Sequence, residues 1–126
     1  MAVYKLLNPT ALASTLVFDG NANGSDDSDG DNVTSATSGS LYMMQIDNTL
    51  NSSAVYLKIV DASSASPGST VPHFVLYAPA AQTATYALPP GHEYSSGVSI
   101  WCTTTLSNSS GQTDPPYTVE VRIMAS

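Results

Sequence analysis

Across residues 53–105, apolar and polar side chains alternate in short runs, and each run ends in a cluster of glycine, proline, serine or asparagine. A period of two puts successive side chains on opposite faces of a strand, so these runs read as half-buried β-structure and not as helix. In residues 97–106, Val98, Ile100, Cys102, Thr104 and Leu106 share one face, while Ser99, Trp101, Thr103 and Thr105 share the other. Residues 117–125 repeat the pattern, with Tyr117, Val119, Val121, Ile123 and Ala125 on one side and Thr118, Glu120 and Arg122 opposite. Further strands are expected near residues 3–7, 15–18, 42–47, 55–61, 71–77 and 83–88. The breaks at Ala65-Ser66-Pro67-Gly68, Pro89-Pro90-Gly91 and Asn108-Ser109-Ser110-Gly111 carry turn chemistry, because proline fixes φ while glycine and asparagine accept positive φ. About eight strands and no amphipathic helix predict an all-β fold, an antiparallel β-sandwich of jelly-roll or immunoglobulin-like type.

A chain of 126 residues is long enough for one core and too short for two ordinary domains, so residues 1–126 are read as one unit. Composition divides it into three parts. Residues 1–18 form a strand pair or arm split at Asn8-Pro9, residues 19–40 a polar acidic insertion, and residues 41–125 the body. The arm is expected either to close as an ordinary first hairpin or to dock on a neighbour by strand addition. Its apolar run resembles a secretory signal, with Ala11 and Ala13 spaced as at a cleavage site, but Asn8 and Pro9 interrupt it. No cleaved signal is expected there, and no run approaches the roughly 18 apolar residues of a spanning helix.

Charge narrows the partners. Two lysines and one arginine stand against ten carboxylates, a formal net charge of -7. Binding to a phosphate backbone needs clustered cations that displace counterions, so nucleic acid and anionic membranes are not expected partners. Nineteen serines and thirteen threonines take the place of charge on the surface. The single cysteine, Cys102, cannot form an internal disulfide and, beside Trp101, reads as a small core residue.

The sharpest local signal is the acidic run of residues 19–32, which holds five of the ten carboxylates. Asp19-x-Asn21-x-Asn23-Gly24 matches the first half of a calcium loop, in which oxygen ligands alternate before a sharp glycine turn. The second half departs from it, since Gly30 stands where a bidentate glutamate belongs. Asp27, Asp29 or Asp31 could supply the missing oxygens to an irregular calcium shell. The alternative is a solvated hairpin tip whose charge discourages aggregation. Apart from calcium at this loop, no cofactor is expected.

Catalysis finds little support. His73 and His92 are the only imidazoles, and no nucleophile elbow, metalloprotease helix or cysteine/histidine metal set accompanies them. No enzyme is therefore expected, and the catalytic set is empty. Trp101 and Tyr56 each sit opposite an apolar row, so something must cover their face, either this chain or a neighbouring subunit. With Tyr4 and Leu6 of the arm, they are the candidate interface residues.

Ser53-Ala54-Val55-Tyr56-Leu57-Lys58-Ile59-Val60-Asp61 opens a longer order: a glycine, a proline-led strand at Pro72, an Ala78-Pro79-Ala80 turn and a strand led by Gly97. This order resembles a β-sandwich module of tailed-bacteriophage virion proteins, among them small capsid decoration (cement) proteins and pieces of tail fibres. The resemblance covers about half the chain and rests on alternation and turns. It implies a non-enzymatic structural protein that binds the outer surface of the major capsid shell, stabilises it and forms homo-oligomers. The corresponding location is the virion exterior, after synthesis in the host cytoplasm. The alternative expectation, from a different class, is a tail-fibre or spike module that binds host glycans, in which residues 19–31, outside the resembling order, would hold calcium.

Overall fold

The computed structural model describes residues 38–107 and 113–126, together with the backbone of residues 3–7, 15–19 and 31–32. The strands are β1 (Val3–Leu7), β2 (Thr15–Asp19), β3 (Asp31–Asn32), β4 (Gly39–Asp47), β5 (Val55–Asp61), β6 (Phe74–Ala78), β7 (Thr83–Tyr94), β8 (Val98–Thr103) and β9 (Glu120–Ala125). No helix occurs among the described residues. All pairings are antiparallel, in two sheets ordered β1-β2-β9-β4-β7 and β3-β8-β5-β6. The chain passes from β4 in the first sheet to β5 and β6 in the second, then returns for β7, crosses again for β8 and comes back for β9. The N-terminal strands pair with each other as a hairpin, and β2 pairs with β9.

The alternation determines which side chains meet. Leu41, Met44 and Ile46 of β4, Val121, Ile123 and Ala125 of β9, Val55, Leu57 and Ile59 of β5, and Val98, Ile100 and Cys102 of β8 form one buried cluster drawn from both sheets. Each large aliphatic side chain buried this way contributes about 1.5–3 kcal/mol, which is the main favourable term for a chain without disulfides. Cys102 is part of this core.

Several boundaries differ from the pattern reading. Leu106 and Tyr117 lie outside β8 and β9 and are exposed at 63% and 62%, so neither extends a buried row. Val71 is likewise exposed, and β6 begins only at Phe74. The largest departure is at Pro89-Pro90-Gly91. The chain does not turn there; β7 continues to Tyr94 through a bulge. Leu41 pairs with His92 and Met43 with Ala87, so four residues of β7 oppose the single residue Tyr42. The Pro89-Pro90 bond is cis, and Gly91 has φ of 115°. A Cβ at Gly91 would come within 2.8 Å of the Tyr42 ring, so conformation and space both select glycine. Local turn chemistry therefore served to bulge a long edge strand.

The end of the molecule near Asn48 is held by two buried asparagines. Asn48 Nδ2 donates to the carbonyls of Ser53 (2.9 Å) and Pro79 (3.0 Å), joining the β4–β5 and β6–β7 connections. Asn51 Nδ2 donates to Tyr117 O at 3.1 Å, and its Oδ1 accepts from Tyr117 N at 3.0 Å. Asn51 heads a glycosylation-type sequence, but its amide is buried and committed to this contact.

Candidate functional site

Over β8, the outward face of the second sheet is covered by the chain's own loops. Ser99, Trp101 and Thr103 alternate along β8 away from the core, yet all are exposed by 1% or less. Trp101 packs with Val60, Ala65 and Ala62 under the β5–β6 connection. Ser99 Oγ donates to Ala62 O at 2.8 Å and pins that connection down. The loop is itself closed by Thr70 N donating to Ser66 O (2.8 Å) and Ser66 N donating to Thr70 Oγ1 (2.8 Å), around Pro67-Gly68. Lys58 shares this face, is buried, and donates from Nζ to Ser107 O at 2.7 Å. Burial pushes its ammonium below the usual lysine range, partly offset by Cys102. The expectation of Trp101 as an interface residue is thus corrected: its ring is already covered within this chain. Of the other candidates, Tyr56 is half-buried beside the 46%-exposed Tyr77, with ring centroids 5.6 Å apart. Tyr77 O also accepts from Tyr86 OH.

The outward face of the first sheet is different. Register lines up Leu6, Leu16, Met124, Met43 and Ala87 in one row across β1, β2, β9, β4 and β7. The next row holds Tyr4, Phe18, Arg122, Gln45 and Thr85. Tyr4 and Leu6, the candidate interface residues of the arm, lie in β1, of which only the backbone is described. Arg122 Nη1 donates to Gln45 Oε1 at 3.2 Å, and its Nη2 lies 3.7 Å from Glu120 Oε2. Asp47 pairs across from Glu120 and accepts from Thr49 Oγ1 (2.6 Å) and Thr49 N (3.0 Å), which hold its carboxyl below the usual range. Beside the methionines, Tyr42, Ala87, Pro89 and Pro90 line an apolar recess of about 330 Å³.

A second, polar recess of about 490 Å³ opens at one end of the sheets, lined by Ser38, Gly39, Ser40, Asp61, Glu93, Tyr94 and Ser95. Asp61 ends β5 and clamps the β7–β8 turn. Its Oδ2 accepts from Ser95 N (2.8 Å) and Ser95 Oγ (3.1 Å), and its Oδ1 accepts from Ser96 N (2.7 Å). The Ser95 backbone bond is the largest of the effects that hold the Asp61 carboxyl below the ordinary range. His73, expected within a strand, sits in the bend before β6, where its Nδ1 accepts from Asp61 N at 3.2 Å. His92 lies in β7 and meets the Phe74 ring edge-on at 5.0 Å. Serine, histidine and aspartate thus come together, but the serine hydroxyl donates to the aspartate directly. That geometry stabilises a turn and does not activate a nucleophile, which requires the imidazole between the two.

The Asp61 clamp sets an acid limit. A depressed folded-state pKa means that the unfolded chain binds the proton first, near the reference value of about 3.9. The stabilisation is present above that pH and is lost as pH falls through the folded value. Asp61→Asn is expected to melt lower than wild type at neutral pH and to lose less on acidification. Melting curves followed from neutral to acid pH check this, and parallel declines in both proteins would refute the assignment.

Of the candidate calcium ligands, Asp19 is the last residue of β2, while Asn21, Asn23, Asp27 and Asp29 lie outside the described residues. Among the described residues, no three histidine, cysteine or acidic side chains come together as a metal site. The Asn48, Asn51 and Asp61 clamps were missed by pattern reading, because each joins segments distant in sequence. Compared with protein-family models, with curated proteins and with solved structures, the chain has no match.

Proposed function

We propose that this chain is a non-enzymatic structural protein of a tailed-bacteriophage virion, a β-sandwich that decorates the outside of the major capsid shell and stabilises it. The observation that carries the reading is the use made of the reactive side chains. Asp61 and Ser95 are spent on the β7–β8 turn, His73 on the Asp61 backbone, His92 on an aromatic contact, and Lys58 on a loop carbonyl. Among the described residues, what these contacts leave for function is surface in a hydroxyl-rich, anionic chain. A net charge of -7 suits a position away from packaged nucleic acid, where phosphates would repel it. The segment that resembles the virion module supplies β5 to β8, including three of the four strands of the second sheet. Its partners are then the major capsid protein and copies of itself, joined through many shallow contacts strengthened by avidity.

Purified chain added to capsids that lack it is expected to co-sediment with them saturably and to raise the temperature at which they rupture. Chain left entirely in the supernatant would overturn the reading. A second reading, glycan recognition by a tail fibre or spike, is favoured by the polar recess at Ser40, Asp61, Glu93 and Ser95. Glycan binding abolished by Glu93→Ala, with no capsid binding, would select it.

A further inference from the structure

We infer that the end of the molecule formed by the β4–β5 connection, the β6–β7 connection and the approach to β9 is a docking surface for a protein partner whose contact side presents aliphatic side chains flanked by lysine or arginine. The surface is built around one buried residue. Asn51 N donates to Asn48 O (3.2 Å), Asn51 O accepts from Ala81 N (2.8 Å), and the Asn51 side-chain amide holds both the N–H and the carbonyl of Tyr117. Three segments distant in sequence are thereby fixed to a single asparagine, and each presents an apolar residue to solvent: Leu50 and Tyr117, both 62% exposed, and Ala81. A lone exposed leucine is ordinary. Three apolar side chains tied to one buried hub are pre-organised, so little ordering is lost when a partner covers them, and tyrosine is among the residues enriched in such contacts.

Ala81 adds an independent point. Its φ is 57°, a left-handed conformation that strains a residue carrying a Cβ and that glycine adopts freely. The chain nonetheless places a methyl group at this exposed tip, where burial within the chain does not account for it. Strain of this kind is often held at contact sites.

Charge selects the partner. Asp47 and Glu120 stand directly opposite one another across β4 and β9, at the same end, and like charges so placed repel. Asp47 is still held ionised, because the hydroxyl and N–H of Thr49 keep its carboxyl below the usual range. Asp114, three residues before Tyr117, brings a third carboxylate. Of the described lysine and arginine, Lys58 is buried and Arg122 lies 3.7 Å from Glu120, so the patch keeps an excess of negative charge. An acid-edged apolar patch is complementary to a basic, aliphatic protein surface and repels nucleic acid, an anionic membrane and the same end of a second copy. For the partner's identity this surface rests on the shell-binding reading; for its chemistry it does not.

The probe is a short peptide alternating leucine and arginine, added to the full chain and followed by backbone amide NMR. Shifts are expected at residues 49–52, 81–82 and 117–118, and they should weaken as salt screens the carboxylates. Leu50→Ser should weaken binding about fivefold or more at an unchanged melting temperature, because the side chain is exposed in the free chain. Ala81→Gly should also weaken binding while keeping or raising the melting temperature. Val71→Ser, at a residue 74% exposed near the opposite end, should leave binding unchanged. Absent shifts, equal shifts around Asp61 and Glu93, a Leu50→Ser chain that binds as wild type, or uptake of the chain by neutral phosphatidylcholine vesicles would each overturn the assignment. The shell-binding reading fails separately. A wild-type chain that takes up the peptide here but not capsids keeps this surface and loses the shell, whereas capsid binding undiminished by Leu50→Ser keeps the shell and removes this surface.

Discussion

Replacing Asn48 with aspartate is expected to destabilise the fold more than any surface change. The Asn48 side chain is wholly buried, and its Nδ2 supplies donors to two loop carbonyls, Ser53 O and Pro79 O. A carboxylate there supplies none and aims negative charge at both. Each carbonyl left without its donor costs about 1–3 kcal/mol, and the buried charge adds to that or forces uptake of a proton. Asn48→Ala removes the same donors without the charge, so it should cost about 2–4 kcal/mol on that scale. Asn48→Asp should cost more, lowering the melting temperature by roughly 10 °C or beyond. The pH dependence identifies the cause. The introduced carboxyl has its folded-state pKa raised by burial, so the penalty should shrink as pH falls and the neutral acid can donate again. Thermal melting across pH reads both effects, and a wild-type midpoint for Asn48→Asp at neutral pH would refute the clamp.

Trp101 carries the second large effect. It is among the largest fully buried side chains and fills the space under the β5–β6 connection with Val60 and Ala65. Trp101→Ala should cost about 3–5 kcal/mol, the range for emptying a large aromatic site. The indole Nε1 is buried without a hydrogen-bond partner. Trp101→Phe therefore removes an unsatisfied donor while keeping most of the ring, and should cost less than about 1.5 kcal/mol. Urea titrations separate the two. Because the residue is interior, Trp101→Phe should leave capsid binding and self-association unchanged, and loss of either with the fold intact would restore an interface role.

Trp101 also shows how far pattern reading reached. Alternation placed it opposite Val98 and Ile100, and that is where it lies, but alternation cannot say what covers the second face. The cover comes from residues 62–73, whose position depends on Ser99 holding Ala62 and on the Ser66/Thr70 closure. The Pro89-Pro90-Gly91 segment teaches the same lesson from the other direction. Its residues are turn formers, yet pairing of β4 on both sides of Tyr42 keeps β7 in the sheet and turns the segment into a bulge.

By itself the sequence determined the all-β class, most of the strands and the inward rows, because a period of two in side-chain polarity is a local property that burial enforces. It also determined the anionic, hydroxyl-rich surface. The tertiary structure alone decided strand order, the cover over Trp101, the Asn48 and Asp61 clamps and the methionine row. Those depend on contacts between residues far apart in the chain, and each forms only once the sheets bring its partners within hydrogen-bonding or packing distance.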